Sequence, residues 1–134
     1  MTDTNANKPL RNIKIVDLTM GWSGPLATRH MADMGAEVVK IESDGYPDWW
    51  RGWEHTPESR AAQEHEKNAA FNQMNRNKLG VTIDLTKAEG QEIALKLIAR
   101  ADAVIENQAT GVMQKLGLSY ERMKEANPSI IWLS

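Results

Sequence analysis

The sequence predicts an α/β fold: a parallel sheet of about five strands with helices flanking it. Three observations predict it. Short runs rich in β-branched residues recur over 13–18, 37–41, 80–85, 103–106 and 130–133. Between several of them the apolar residues return at helical spacing. The connections are also too long for hairpins, so successive strands are joined by crossovers and run parallel.

Each element has its own justification. Residues 1–8 are polar and read as a disordered tail, with one folded unit over 9–134. Ile13-Lys14-Ile15-Val16-Asp17-Leu18 forms the first strand and ends in a loop holding Gly21, Gly24 and Pro25. From Leu26 the apolar positions Leu26, Ala27, Met31 and Met34 make a helix that Gly35 stops. Glu37-Val38-Val39-Lys40-Ile41 returns as the second strand. Residues 43–66 break the rhythm with Trp49, Trp50, Trp53, two prolines and two glycines, and read as a long functional or interface loop.

A helix over 67–74 precedes the third strand, 80–85. Thr86-Lys87-Ala88-Glu89 then has the spacing of a capping box, with the Thr86 hydroxyl expected to cap a helix over 87–100. Ile93, Ala94, Leu97, Ile98 and Ala101 give that helix its apolar stripe. After the fourth strand, short helices over 112–115 and 120–126 lead through Pro128 to the fifth. Ser134 follows that strand at once, so the expectation is a chain cut in mid-fold. No internal repeat is visible.

Composition narrows the function. The 134 residues suit one domain, and 41% are hydrophobic, enough for a core. Lys and Arg number 16 against 18 Asp and Glu, a net charge of -2, without the basic excess of a nucleic-acid binder. No apolar run exceeds four residues, which is too short to span a bilayer, and the polar N-terminus lacks a signal core. A cytoplasmic protein without membrane or nucleic-acid partners is expected. The absence of cysteine excludes disulfides, thiolate metal sites and a cysteine nucleophile.

The first loop sits where a Rossmann-like fold binds a dinucleotide, with Glu42 ending the second strand at the place of a ribose carboxylate. The G-x-G-x-x-G fingerprint is missing, however. Gly21-Trp22-Ser23-Gly24-Pro25 stands instead, and Trp22 occupies the position where backbone must approach a pyrophosphate. Asn75-Arg76-Asn77-Lys78 places two cations and two amides on one loop, either to hold phosphate or as a solvated basic turn. The tryptophans at 49, 50 and 53 either stack on an adenine, line an acyl pocket or pack on a partner chain. His30, His55 and His65 lack metal-ligand spacing, and no G-x-S-x-G elbow is present.

An ordered series of short segments is more specific than any of these. It comprises Val16-Asp17-Leu18-Thr19, Gly24-Pro25, Ala32 to Glu42, Gly45 to Asp48 and Arg51-Gly52-Trp53. It continues with Asn75 to Lys78, Val81 to Leu85, Ala101 to Asn107, Gly111-Val112-Met113, Leu116-Gly117-Leu118 and Asn127-Pro128. Across residues 10–134 this series resembles the opening of the class III CoA-transferases, the CaiB/BaiF family.

The resemblance implies an enzyme that moves coenzyme A from an acyl-CoA thioester to a carboxylic acid through covalent intermediates on an aspartate. It implies a Rossmann-like large domain without the dinucleotide fingerprint and no permanently bound cofactor, coenzyme A and acyl-CoA being substrates. The full-length protein would be an interlocked homodimer.

By position, Gly21 and Trp22 would approach the thioester end of CoA. Asn75, Arg76, Lys78 and Ile83 would lie near its nucleotide end, Asn107 and Gln108 on the loop after the fourth strand, and Lys115 at a phosphate. None of the aspartates takes the place of the family's nucleophile, so no catalytic residue is assigned, and this N-terminal portion alone is expected to be inactive.

Several positions depart from the family pattern. Trp22 stands where relatives similar to formyl-CoA transferase carry Gln. Ser43 replaces a basic residue found in some members, and Gln108-Ala109-Thr110 departs from Phe-Arg-Pro. An acyl-CoA racemase of the same superfamily and a non-catalytic interaction module docking through its tryptophan-rich loop are the alternatives. The Asn75–Lys78 run favours the transferase over the racemase.

Overall fold

Among the described residues of the computed structural model, 7–52 and 56–134, five strands form one parallel sheet. They are β1 (Lys14–Asp17), β2 (Glu37–Glu42), β3 (Leu79–Thr82), β4 (Ala103–Ile105) and β5 (Ile131–Leu133), in the order β3-β2-β1-β4-β5. The order reverses at β1, where the chain goes first to β2 and later to β4. In such sheets the crevice beyond the strand C-termini at the reversal is where ligands bind. The expected Rossmann-like sheet is therefore the one that forms.

The helices are α1 (Ser23–Asp33), α2 (Pro57–Ala61), α3 (Ala69–Asn75), α4 (Ala88–Ile98), α5 (Val112–Lys115) and α6 (Tyr120–Ala126). Strand alternation divides the core in two. Val16, Ile41 and Val104 belong to a large apolar cluster with Ala94, Leu95 and Ile98 of α4 and Met123 of α6. Ile15, Val38 and Ile105 face the other way and meet Ala32 and Ala36, in and just after α1. No helix among the described residues is long and apolar enough to cross a membrane.

Several local expectations change. The helix after the first loop starts at Ser23, three residues before Leu26, with Trp22 at its N-cap making no side-chain cap bond. The stretch 43–66 holds α2 and two single-turn 3-10 helices, Trp49–Arg51 and Glu64–Glu66. Thr56 caps α2 through the Ser59 amide, a local signal that the absence of apolar periodicity hides. Trp53 and His55 lie outside the described residues. So do residues 1–6 of the expected tail, whereas Lys8 has a defined place against Gly35.

The capping box is also corrected. Lys87, not Thr86, is the N-cap of α4, and it makes no side-chain cap bond. The Thr86 hydroxyl donates instead to Asp84 Oδ1 at 2.6 Å, and the Thr86 N–H donates to the same oxygen at 2.9 Å. Asp84 outcompetes the helix terminus because an Asx turn satisfies both groups locally.

Gly90, in the first turn of α4, has no room for a side chain because a Cβ would collide with the Asp84 carbonyl. Gly90→Ala should therefore lower stability by about 1–3 kcal/mol, although Gly→Ala within a helix ordinarily gains about 1 kcal/mol. Urea unfolding of the two proteins checks the sign.

Candidate functional site

Two charged residues fall inside the parallel sheet. Asp17 and Lys40 are register partners on β1 and β2, and alternation turns both toward the α1 face, beyond the Ile15 and Val38 level of its core. Both are buried. Charges there survive only with partners, and the surrounding loops supply them.

Asp17 Oδ1 accepts the Thr19 N–H at 2.9 Å and the Thr19 hydroxyl at 2.6 Å. Its Oδ2 accepts the Thr28 hydroxyl of α1 at 2.7 Å and the Lys78 ammonium at 2.9 Å. Burial pushes the Asp17 carboxyl up, but Lys40, Lys78 and the Thr19 hydroxyl outweigh it and hold it below its ordinary value. Asp17 is thus an ionised carboxylate at neutral pH.

Lys40 reaches the other way. Its Nζ donates to the Thr19 carbonyl at 2.6 Å and faces Asp48 Oδ2 at 3.0 Å as an ion pair. Asp48 Oδ1 accepts the Gly21 N–H at 3.3 Å and the Trp50 N–H at 3.0 Å. One ammonium and one carboxylate therefore clamp the loop after β1 to the 3-10 turn after β2. Gly21 completes the fit: its φ of +76° suits glycine, and a Cβ would come within 2.7 Å of the Trp49 ring. Trp22, 58% exposed, meets Trp50 edge to face at 5.5 Å.

The loop after β4 holds the first loop from its other side. Asn107 Nδ2 donates to the Met20 carbonyl at 2.9 Å while its Oδ1 accepts the Met20 N–H at 2.8 Å. Gln108 Nε2 donates to the Leu18 carbonyl at 3.1 Å. The first loop is thus fixed from both neighbouring loops.

Beside it a cleft of about 290 Å³ opens at the strand C-termini. Its walls are Leu18, Ile41, Ile83, Leu85, Met113 and Leu116, and Gln108 stands at its edge. Glu42 at the rim is not free for a ribose. Arg51 grips both its oxygens, at 2.8 and 2.9 Å, and the Asp48 N–H donates to Oε2 at 3.1 Å. Burial works to raise the Glu42 carboxyl, and these bonds hold it below the usual range. Arg51 in turn stacks on Phe71 of α3, 3.8 Å from the ring centre.

The Asn75–Lys78 run does not gather as a phosphate cradle. Lys78 is buried, and its ammonium is taken by Asp17, by Asn75 Oδ1 at 2.8 Å and by the Pro25 carbonyl at 3.1 Å. No ammonium proton is left for a ligand, so a direct Lys78–phosphate contact is replaced by a structural role. Arg76 is exposed but pairs with Asp33, to whose Oδ1 Asn77 also donates. Ile83 lines the cleft, and Lys115 stands exposed at the end of α5, whose Val112 and Met113 line it too.

The sequence reading missed Lys40 and Asp48 as site-building residues. The available signal was a lysine between Val39 and Ile41 in a strand buried on both faces, where a charge requires a partner.

The sequence profile of CoA-transferase family III matches residues 10–134. The chain belongs to that family. Among its family III relatives, an acyl-CoA transferase of Fusarium pseudograminearum is 42% identical over 125 residues, 92% of this chain and 27% of that protein. The human succinyl-CoA:glutarate CoA-transferase is 35% identical over 133 residues, 99% of this chain and 29% of that protein. A CaiB/BaiF family protein from Brucella suis has a solved structure similar to this one. Its TM-score is 0.79 at 36% identity, over 94% of this chain and 32% of that one. The family III chain described here thus spans less than a third of the length of these relatives.

Proposed function

We propose that this chain forms the CoA-binding portion of a cytoplasmic CoA-transferase, which moves CoA from an acyl-CoA to a small carboxylic acid as a homodimer. The observation that carries the reading is the apolar cleft at the strand C-termini, set beside a loop clamped by buried charges in a family III chain. A slot lined mainly by apolar side chains suits a purine base. The nucleotide end of CoA occupies this slot, against Ile83 and Gln108. Lys115 meets a phosphate as a point charge, and Gly21 and Trp22 border the path toward the thioester.

Asn75, Arg76, Asn107 and Lys78 contribute by shaping the loops around the ligand. By position in the family, none of Asp17, Asp33, Asp44, Asp48, Asp84 or Asp102 takes the place of the aspartate that attacks the thioester. Asp17 and Asp48 are buried in ion pairs, and Asp33 and Asp84 are engaged by neighbours.

Calorimetric titration tests the reading. CoA should bind the chain with one site, and Val112→Trp, which fills the cleft, should abolish binding while leaving the unfolding midpoint near that of the parent. Unchanged binding in Val112→Trp would move the nucleotide elsewhere. Transfer of CoA between acids by this chain alone, followed by mass spectrometry, would overturn the assignment of the nucleophile.

A further inference from the structure

Asp44-Gly45 is the only Asp-Gly pair in the sequence, and no Asn-Gly pair occurs. An aspartate followed by glycine is open to attack by its neighbour's backbone nitrogen, because no Cβ obstructs the approach and glycine turns freely into it. After the other described aspartates stand Leu18, Met34, Trp49, Leu85 and Ala103, each with a side chain.

The structure leaves this pair free to react. Asp44 and Gly45 are exposed at the tip of a turn closed by the antiparallel Ser43–Tyr46 bridge. The closing bonds are long: the Tyr46 N–H donates to the Ser43 carbonyl at 3.3 Å and to its hydroxyl at 3.2 Å. Arg60 reaches the Asp44 carbonyl at 3.4 Å. Among the described residues nothing donates to the Asp44 carboxylate, and the Gly45 N–H donates to nothing. A Cβ built on Gly45 would meet nothing within 4 Å. A segment so exposed and so sparsely bonded opens at little cost. Every other described aspartate has its carboxylate held. Asp17 and Asp48 lie in buried ion pairs, and Arg76 and Asn77 hold Asp33. Thr86 holds Asp84, and Asp102 accepts the Lys14 N–H at 2.8 Å. A carboxyl carbon fixed in this way does not swing onto the following nitrogen.

We infer that Asp44 is a site of spontaneous aspartyl isomerisation. The Gly45 nitrogen attacks Asp44 Cγ and a C–N bond forms. One carboxyl oxygen leaves as water, taking the amide proton and a proton from solvent, and a succinimide ring remains. Water then adds to a ring carbonyl and returns the solvent proton. Opening at Cγ restores Asp44. Opening at the backbone carbonyl sends the chain through Cβ and Cγ and frees the α-carboxylate, which is isoaspartate. Nothing is oxidised, and the net mass is unchanged. The product adds a backbone carbon between Ser43 and Tyr46, so the two bonds that close the turn no longer fit. Both residues line the cleft, and the change reshapes that wall. The inference is independent of what the cleft binds.

The test is to age the purified chain for weeks at neutral pH and map its peptides with an isoaspartate methyltransferase and labelled S-adenosylmethionine as the probe. The peptide holding Asp44 should take up label, and those holding Asp17, Asp33, Asp48, Asp84 and Asp102 should not. Gly45→Ala, which the open space around the turn accommodates, should take up severalfold less. Asp44→Asn should label faster than the parent, because ammonia leaves an amide more readily than oxide leaves a carboxylate. An unlabelled Asp44 peptide, or label spread evenly over the aspartates, would overturn the inference. So would a Gly45→Ala protein that labels as fast as the parent, or an Asp44→Asn protein that labels no faster.

Discussion

Lys40→Met is expected to destabilise the fold by about 3–5 kcal/mol, read from urea unfolding. The side chain of Lys40 is 2% exposed and that of Asp48 is fully buried, so the pair is screened from water. Removing the ammonium leaves the Asp48 carboxylate without its counter-charge and the Thr19 carbonyl without its donor. An uncompensated buried charge costs far more than the pair contributes net, because desolvation of the survivor is no longer offset.

The double variant Lys40→Met, Asp48→Asn should recover part of the loss. The amide oxygen introduced by Asp48→Asn would still accept from Gly21 and Trp50, and no bare charge would remain. The clamp also has an optical signature. Trp22 and Trp50 sit edge to face at 5.5 Å, so their coupled far-ultraviolet circular dichroism should weaken when the loops separate in Lys40→Met. A loss below about 1 kcal/mol, the size expected of an exposed pair, together with unchanged dichroism, would show that the pair does not hold the loops.

The fold is legible in the sequence because its signals are local and periodic. A strand such as 37–41 announces itself by β-branched residues, and α4 by its apolar spacing, although Ile93 of the expected stripe is exposed and Leu95, outside it, is buried. The capping box is legible as a spacing but misleads, because whether Thr86 bonds to the helix or back to Asp84 depends on the path of the chain between them. The long segment 43–66 hides α2 and two 3-10 turns because elements this short carry no period.

The site is harder to read for a related reason. Asn75, Arg76 and Lys78 stand out for their charge and hydrogen-bonding capacity. Lys78 spends that capacity on Asp17, sixty-one residues away, and Arg76 spends it on Asp33, forty-three residues away. The pairing of Asp17 with Lys40 follows from the register of β1 on β2, which becomes visible only when the sheet order is known. Long-range partners decide whether a cation is a ligand group or a structural one, and residue type alone does not name them.

Asp17→Asn should cost about 3–5 kcal/mol at neutral pH, and its effect should depend on pH in a defined direction. The carboxylate accepts four hydrogen bonds, from Thr19 N, Thr19 Oγ1, Thr28 Oγ1 and Lys78 Nζ. An amide can accept with its oxygen only, and its NH2 would be pressed against the Thr28 hydroxyl or the Lys78 ammonium, leaving that ammonium buried without a counter-charge.

The folded-state carboxyl lies below its ordinary value of 3.8, so the unfolded chain binds the proton first as the solution is acidified. The stability contributed by ionised Asp17 is therefore complete above that ordinary value. It is lost as pH falls through the depressed folded value. The difference in unfolding free energy between parent and Asp17→Asn should shrink as pH falls below about 4. Taking the difference cancels Glu42, Asp33 and Asp84, whose lowered carboxyls add the same slope to both proteins. A gap that stays constant down to about pH 3, below the ordinary carboxylate range, would mean that Asp17 is not the charge on which the Lys78 side of the loop depends.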